Sequence, residues 1–291
     1  MLGESLALAA ALTWSLAVIL FKRSDTVGAA SMNLFKNVTA LTLLGLTMLA
    51  TGRGVDMSRS PEDWGALAAS GVLGIAVADT LEFSALRRLG AGLLAVVNLL
   101  YSPVIVTLSV LVLDESLGMS FALGAPLVLA GVFLAITGGG LLTDTKKGTA
   151  LGAFMGASAM VTMGIGVVLA KPVLQDGDLV EVTAVRLAAG IAAQSVVLLA
   201  VPRWRSAFRV FLPGPVYKTL LPASVLGSYL AMLLWLGGFK WADASIASVL
   251  NQMSTIFTIV LARLLLGEHF SRRQAWGAAL ALGGALTILA S

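Results

Sequence analysis

The chain is a succession of long apolar runs with little between them, and this feature decides what it can fold into. The runs cover roughly 4–21, 32–51, 64–86, 89–113, 118–142, 148–170, 179–201, 216–238, 243–267 and 274–290. Crossing about 30 Å of hydrocarbon at about 1.5 Å per residue takes about 20 residues, and most of the runs reach that length. Inside lipid every backbone N–H and C=O must be satisfied within the chain, so only helices and closed barrels can span. The alternation of barrel strands is absent. The predicted fold is therefore an all-α integral membrane protein of ten transmembrane helices. Composition agrees: 58% of the 291 residues are hydrophobic and 12% charged, against about 25% charged in soluble domains. The net charge of +4 in so apolar a chain marks a membrane face and not a nucleic-acid surface. With no cysteine and one histidine, disulfide chemistry is excluded and a His-based metal site is disfavoured. The first run opens with Glu4 and has neither a basic leader nor a small-residue cleavage site, so it is expected to be a retained span.

The second half echoes the first. Superposing Glu115 on Glu268 also superposes Asn98 on Asn251, Gly124 on Gly277 and Gly131 on Gly284. Lys22 and Lys171 each end the first span of their half, and Lys36 matches Arg186 in the second span. The repeat is five helices long, with units 1–142 and 148–291 and a junction at TDTKKG. Five is odd, so the two copies enter the membrane from opposite sides. Such inverted repeats are an architecture of secondary transporters.

Ionisable residues inside spans are costly, and they usually face a wet interior. Asp79 and Glu82, at i and i+3 on one face of the third span, are candidates for proton coupling or for holding a cationic group. Their repeat mates are Met232 and Trp235. Asn98 and Asn251, with Gln252 beside the latter, are candidate partners for a polar substrate; Trp14, Tyr101 and Trp235 are candidates for lining the site. Pro103 is predicted to bend the fourth span just past Tyr101 and Ser102 and to free the Leu99 carbonyl as a ligand. Lys36 and Arg186 are expected to snorkel, or else to meet a substrate carboxylate or Asp79. PRWRSAFRVFLPGP at 202–215 is predicted to be an interfacial segment. Gly138 to Gly140 lack the GK[ST] of a phosphate loop, so no ATP is expected. No nucleophile–base set suggests an enzyme.

The first span LALAAALTWSLAVILFK, the mid-helix Pro103, and the helix-end acids Asp114–Glu115 and Glu268, each before a Gly-rich span, resemble the EamA family of the drug/metabolite transporter superfamily. One departure is that Pro103 has Ile256 as its counterpart. The resemblance covers nearly the whole chain and implies two inverted five-helix repeats, a central cavity and export of small metabolites. The expected function is a secondary transporter of a small polar metabolite (amino acid, amine or drug-like solute), proton-coupled or exchanging. It would work without a cofactor or metal, as a monomer or homodimer in the inner (cell) membrane. A lipid flippase and a non-transporting membrane subunit are the alternatives. Loops 1–2, 3–4, 5–6, 7–8 and 9–10 carry most of the 19 Lys and Arg. The positive-inside rule makes that face cytoplasmic and both termini external, whereas the resemblance implies cytoplasmic termini.

Overall fold

In a computed structural model, the described residues are 1–22, 27–138, 149–212, 214–266 and 271–290. Glu268, Lys146, Lys147 and the TDTKKG junction lie outside them. The first repeat contains α1 (Leu2–Lys22), α2 (Ala29–Ala50), α3 (Pro61–Gly71), α4 (Ala78–Asn98), α5 (Tyr101–Val112) and α6 (Met119–Gly138). The second contains α7 (Thr149–Asp176), α8 (Leu179–Ala200), α9 (Tyr217–Ser224), α10 (Ala231–Trp241), α11 (Ala244–Asn251), α12 (Met253–Leu266) and α13 (Arg272–Leu289). No strand occurs among the described residues. Nine helical stretches among them are long and apolar enough to cross a membrane; α13, with 18 residues, is the remaining long helix.

Local signals start the helices where the sequence places them. Ser60 accepts from the Asp63 N–H and Pro61 opens α3. Asp178 accepts from the N–H groups of Val180 and Glu181 at the start of α8. Ser271 and Gln274 form a capping box on α13.

The glycines matched by the repeat are where the two halves meet. A Cβ on Gly124 would lie 2.6 Å from the Gly284 carbonyl oxygen, and one on Gly277 2.6 Å from the Gly131 carbonyl oxygen. Small residues let membrane helices approach backbone to backbone. Since 124 meets 284 and 131 meets 277, α6 and α13 run antiparallel although they hold the same position in their repeats. That is the signature of an inverted pair.

Two departures from α-helix are also duplicated, and the first of them was not read from the sequence. A π-helical segment, Val72–Val77, joins α3 to α4, and its mate Val225–Leu230 joins α9 to α10. The helix likewise breaks at Leu99–Leu100 and at Gln252. The Leu99, Leu100 and Gln252 N–H groups reach back three residues instead of four. Pro103 was expected to cause the first break just beyond Tyr101; the break comes before Tyr101, and the second repeat breaks without any proline. Pro103 therefore cannot be its general cause. The expected connection at Arg87–Arg88 is helical in α4, and the 202–215 segment forms a 3-10 helix over Pro202–Phe211. Its Ala207 and Phe208 pack on Leu34 and Leu198.

Candidate functional site

The π segments bring the candidate residues together. One extra residue per turn shifts the helix face that follows, and such bulges are frequent at functional sites. Asp79 follows the first segment directly. Lys36, 6% exposed on α2, does not snorkel: its Nζ lies 3.1 Å from Asp79 Oδ2 and 3.0 Å from Asn37 Oδ1. Asn37 in turn donates to Asn33 Oδ1 at 3.0 Å. One turn further, Glu82 has no ion-pair partner among the described residues; Asn98 Nδ2 donates to its Oε1 at 2.8 Å. The Arg87 side chain, a possible partner for Glu82, lies outside the description.

The chain of contacts then crosses between repeats. Gln252 Nε2 donates to the Asn98 carbonyl at 3.1 Å, and Ser102 Oγ donates to the Ser248 carbonyl at 2.9 Å. Both contacts sit at the helix breaks, where freed backbone groups need partners. Asn98 and Asn251 do not bond each other; the link runs through Gln252. Asn98 Oδ1 and Asn251 Nδ2 are buried without partners among the described residues.

On the second-repeat side, Arg186 is 3% exposed. Its Nε donates to Ser70 Oγ at 2.7 Å, and Ser70 Oγ donates to the Gly166 carbonyl. Its guanidinium carbon lies 6.0 Å from the Trp235 ring centroid. Trp235 packs edge-on against Phe239, with centroids 5.3 Å apart. Tyr101, 8% exposed, has a buried hydroxyl with no hydrogen-bonded partner among the described residues. The Trp235 indole is beside that hydroxyl without meeting hydrogen-bond geometry.

Of the nine candidate residues, Trp14 stands apart. It is 40% exposed and packs on Phe21 and Gly227. An apolar groove of about 310 Å³ between α5 and α6 reaches Ser102, away from the charged residues. Among the described residues no group of three or more His, Cys, Asp and Glu is placed to hold a metal.

One node was visible in the sequence only as a repeat marker and a helix-end acid. The chain turns at Asp114 with φ of 53°, a left-handed conformation that Asp tolerates better than most residues. Glu115 is thereby set onto the start of α11, accepting from the Ala244 and Ser245 N–H groups at 2.6 and 3.1 Å and from Lys171 Nζ at 2.6 Å. Burial alone would raise its carboxyl pKa, but Lys171 and the two N–H groups win and hold it below the usual range. The neighbouring Asp243 carboxyl is pushed up by burial and by Glu115.

The same architecture occurs in known proteins. A solved structure described only as a crystal structure of a protein superposes with a TM-score of 0.81 at 18% identity, covering 98% of this chain and 95% of that one. At that identity the likeness shows the fold alone. No curated protein matches the chain in sequence. The EamA-like transporter family matches residues 1–137 and 150–290, one match in each half. Ionisable groups at mid-span, mated helix breaks and this match over both repeats agree, and the chain belongs to the EamA-like transporter family of multi-pass membrane transporters.

Proposed function

We propose that the chain exports a small polar metabolite by alternating access, with units 1–142 and 148–291 rocking about a site between them in the inner membrane. The observation that carries this reading is the run Glu82–Asn98–Gln252. It joins the third and fourth spans to the ninth, so motion of one repeat against the other must break and remake it. Hydrogen bonds between repeats at helix breaks are the kind of contact a substrate can replace. Within this site Glu82 is the better proton carrier. Asp79 is already held by Lys36, whereas among the described residues Glu82 has only the Asn98 amide, which can bond either protonation state by rotating between donor and acceptor.

The test is uptake into proteoliposomes of the purified protein, across a panel of labelled amino acids, amines and drug-like solutes. Glu82→Gln should reduce accumulation driven by a pH gradient to background while counterflow survives. Wild-type accumulation with unchanged pH dependence would show that Glu82 carries no proton. A second reading, lipid flipping, draws on the apolar groove that reaches Ser102. Headgroup-labelled lipid crossing the same liposomes at a rate above protein-free controls would favour it.

A further inference from the structure

We propose that Arg186 is the subsite for a carboxylate on the transported solute, with the Tyr101 hydroxyl as a second donor. The inference rests on the reading of the chain as a transporter with a site between its repeats. Its starting point is a charge without a counter-charge. The other deeply buried cations that the structure places in ion pairs all meet acids: Lys36 with Asp79, Arg59 with Glu181 at 2.7 Å, and Lys171 with Glu115 at 2.6 Å. Among the described residues Arg186 pairs with no Asp or Glu, and its one hydrogen bond uses Nε. The two terminal nitrogens, the ones that grip a carboxylate side by side, are left over. A buried charge is normally paired, because leaving it unpaired is expensive.

Two further observations place a ligand there. The first is room. A Cβ added to Gly74, on the first π segment, would have, beyond its own stretch of helix and among the described residues, only Arg186 Nη2 within 4 Å, at 3.8 Å. Its repeat mate Gly227 is packed shut, with Ala17, Phe21 and Trp14 at 2.9 to 3.3 Å. The second is Tyr101, whose buried hydroxyl meets hydrogen-bond geometry with no described residue and which packs in the same cluster as Trp235, the ring that faces the guanidinium. An unpaired cation, an unpaired hydroxyl and unfilled space meet at one place. A carboxylate entering it neutralises the first, accepts from the second and occupies the third.

The Trp235 ring and Ser70 hold the guanidinium in position from two sides, so its orientation is set before the ligand arrives, which lowers the ordering cost of binding. The arrangement selects for free acids, zwitterions included, and against solutes whose only charge is an amine, which would face Arg186 with like charge.

The experiment measures thermal stabilisation of the full-length protein in detergent by matched pairs. Each L-amino acid and each short mono- or dicarboxylate is compared with its own carboxamide, alongside simple amines. At least one free acid should raise the melting temperature while its amide does not. Arg186→Gln should weaken that acid on the order of 100-fold, and Arg186→Lys about 10-fold, since charge is kept and the fork lost. If Arg186→Gln fails to fold, Arg186→Lys and Tyr101→Phe carry the test, the latter weakening the acid about 10-fold. The inference is overturned if no acid stabilises the wild type, if amides or amines match the acids, or if the variants keep the acid's affinity. The two readings fail separately. Arg186-dependent acid binding without counterflow in proteoliposomes sinks transport and leaves the subsite, whereas amine counterflow indifferent to Arg186→Gln does the reverse.

Discussion

Lys36 and Arg186 occupy the same place in the two repeats, seven residues into a helix that begins at Ala29 or Leu179, and the fold gives them opposite surroundings. Lys36 meets Asp79. Arg186 meets the Trp235 ring, and Trp235 is the mate of Glu82. The scaffold was duplicated along with its basic residue, its π segment and its helix break, while Asp79 and Glu82 exist in one copy alone. At this position the first repeat neutralises its own cation. The second keeps a cation in reserve. In an inverted-repeat protein the scaffold needs the symmetry, while a substrate with two different ends needs it broken, and the break falls at the centre.

The largest effect that would break this comparison is on stability. Lys36→Met leaves Asp79 without its counter-charge and should cost about 3 kcal/mol, read as a clear fall in melting temperature in detergent. Adding Asp79→Asn should recover most of it. Arg186→Met loses one hydrogen bond to Ser70 but also removes an unpaired buried charge, so its cost should stay below about 1 kcal/mol. Equal losses in the two single variants would mean that Arg186 is as much a structural residue as Lys36.

A smaller effect concerns Lys171, the second repeat's neutralised cation. Glu115→Gln should destabilise by about 2 kcal/mol at neutral pH. The Glu115 carboxyl is held below its ordinary value of 4.5. Its stabilisation is therefore complete above that value and is lost as pH falls through the lowered folded-state pKa. Wild type and variant should converge in acid; a gap that stays constant with pH would show that charge is not what Glu115 contributes.

The smallest effect sharpens the comparison at the glycines. Gly227→Ala must push aside Ala17 Cβ at 2.9 Å and should cost about 1 kcal/mol, whereas Gly74→Ala should leave the stability within about 0.5 kcal/mol of wild type. If Gly74→Ala is as costly as Gly227→Ala, the space beside Arg186 is not there.

The fold was legible for a simple reason. Lipid tolerates only satisfied backbones, so apolar run length alone dictated helices, and four matched markers with an odd helix count dictated the inversion. Gly124, Gly131, Gly277 and Gly284 could be matched by eye because close backbone approach admits no other residue there. The site was legible only in its ingredients. Asp79, Glu82, Asn98, Tyr101, Trp235 and Gln252 stood out because polar groups are rare in spans, but nothing in the order of residues says which acid takes which base. Lys36 could equally have snorkelled. Ser70, an ordinary serine in a run of alanines, gave no signal at all.

The sequence by itself determined that the chain spans a membrane as helices in two inverted copies, because hydrophobic length and periodic small residues act locally and add along the chain. Only the tertiary structure decided that the helices would bulge at Val72 and Val225 and break at Leu99 and Gln252. Only it decided that Asp79 would spend its charge on Lys36 and that Arg186 would keep its own. Those outcomes depend on which faces of distant helices meet, and a partner found across the bundle leaves no mark in the residues beside it.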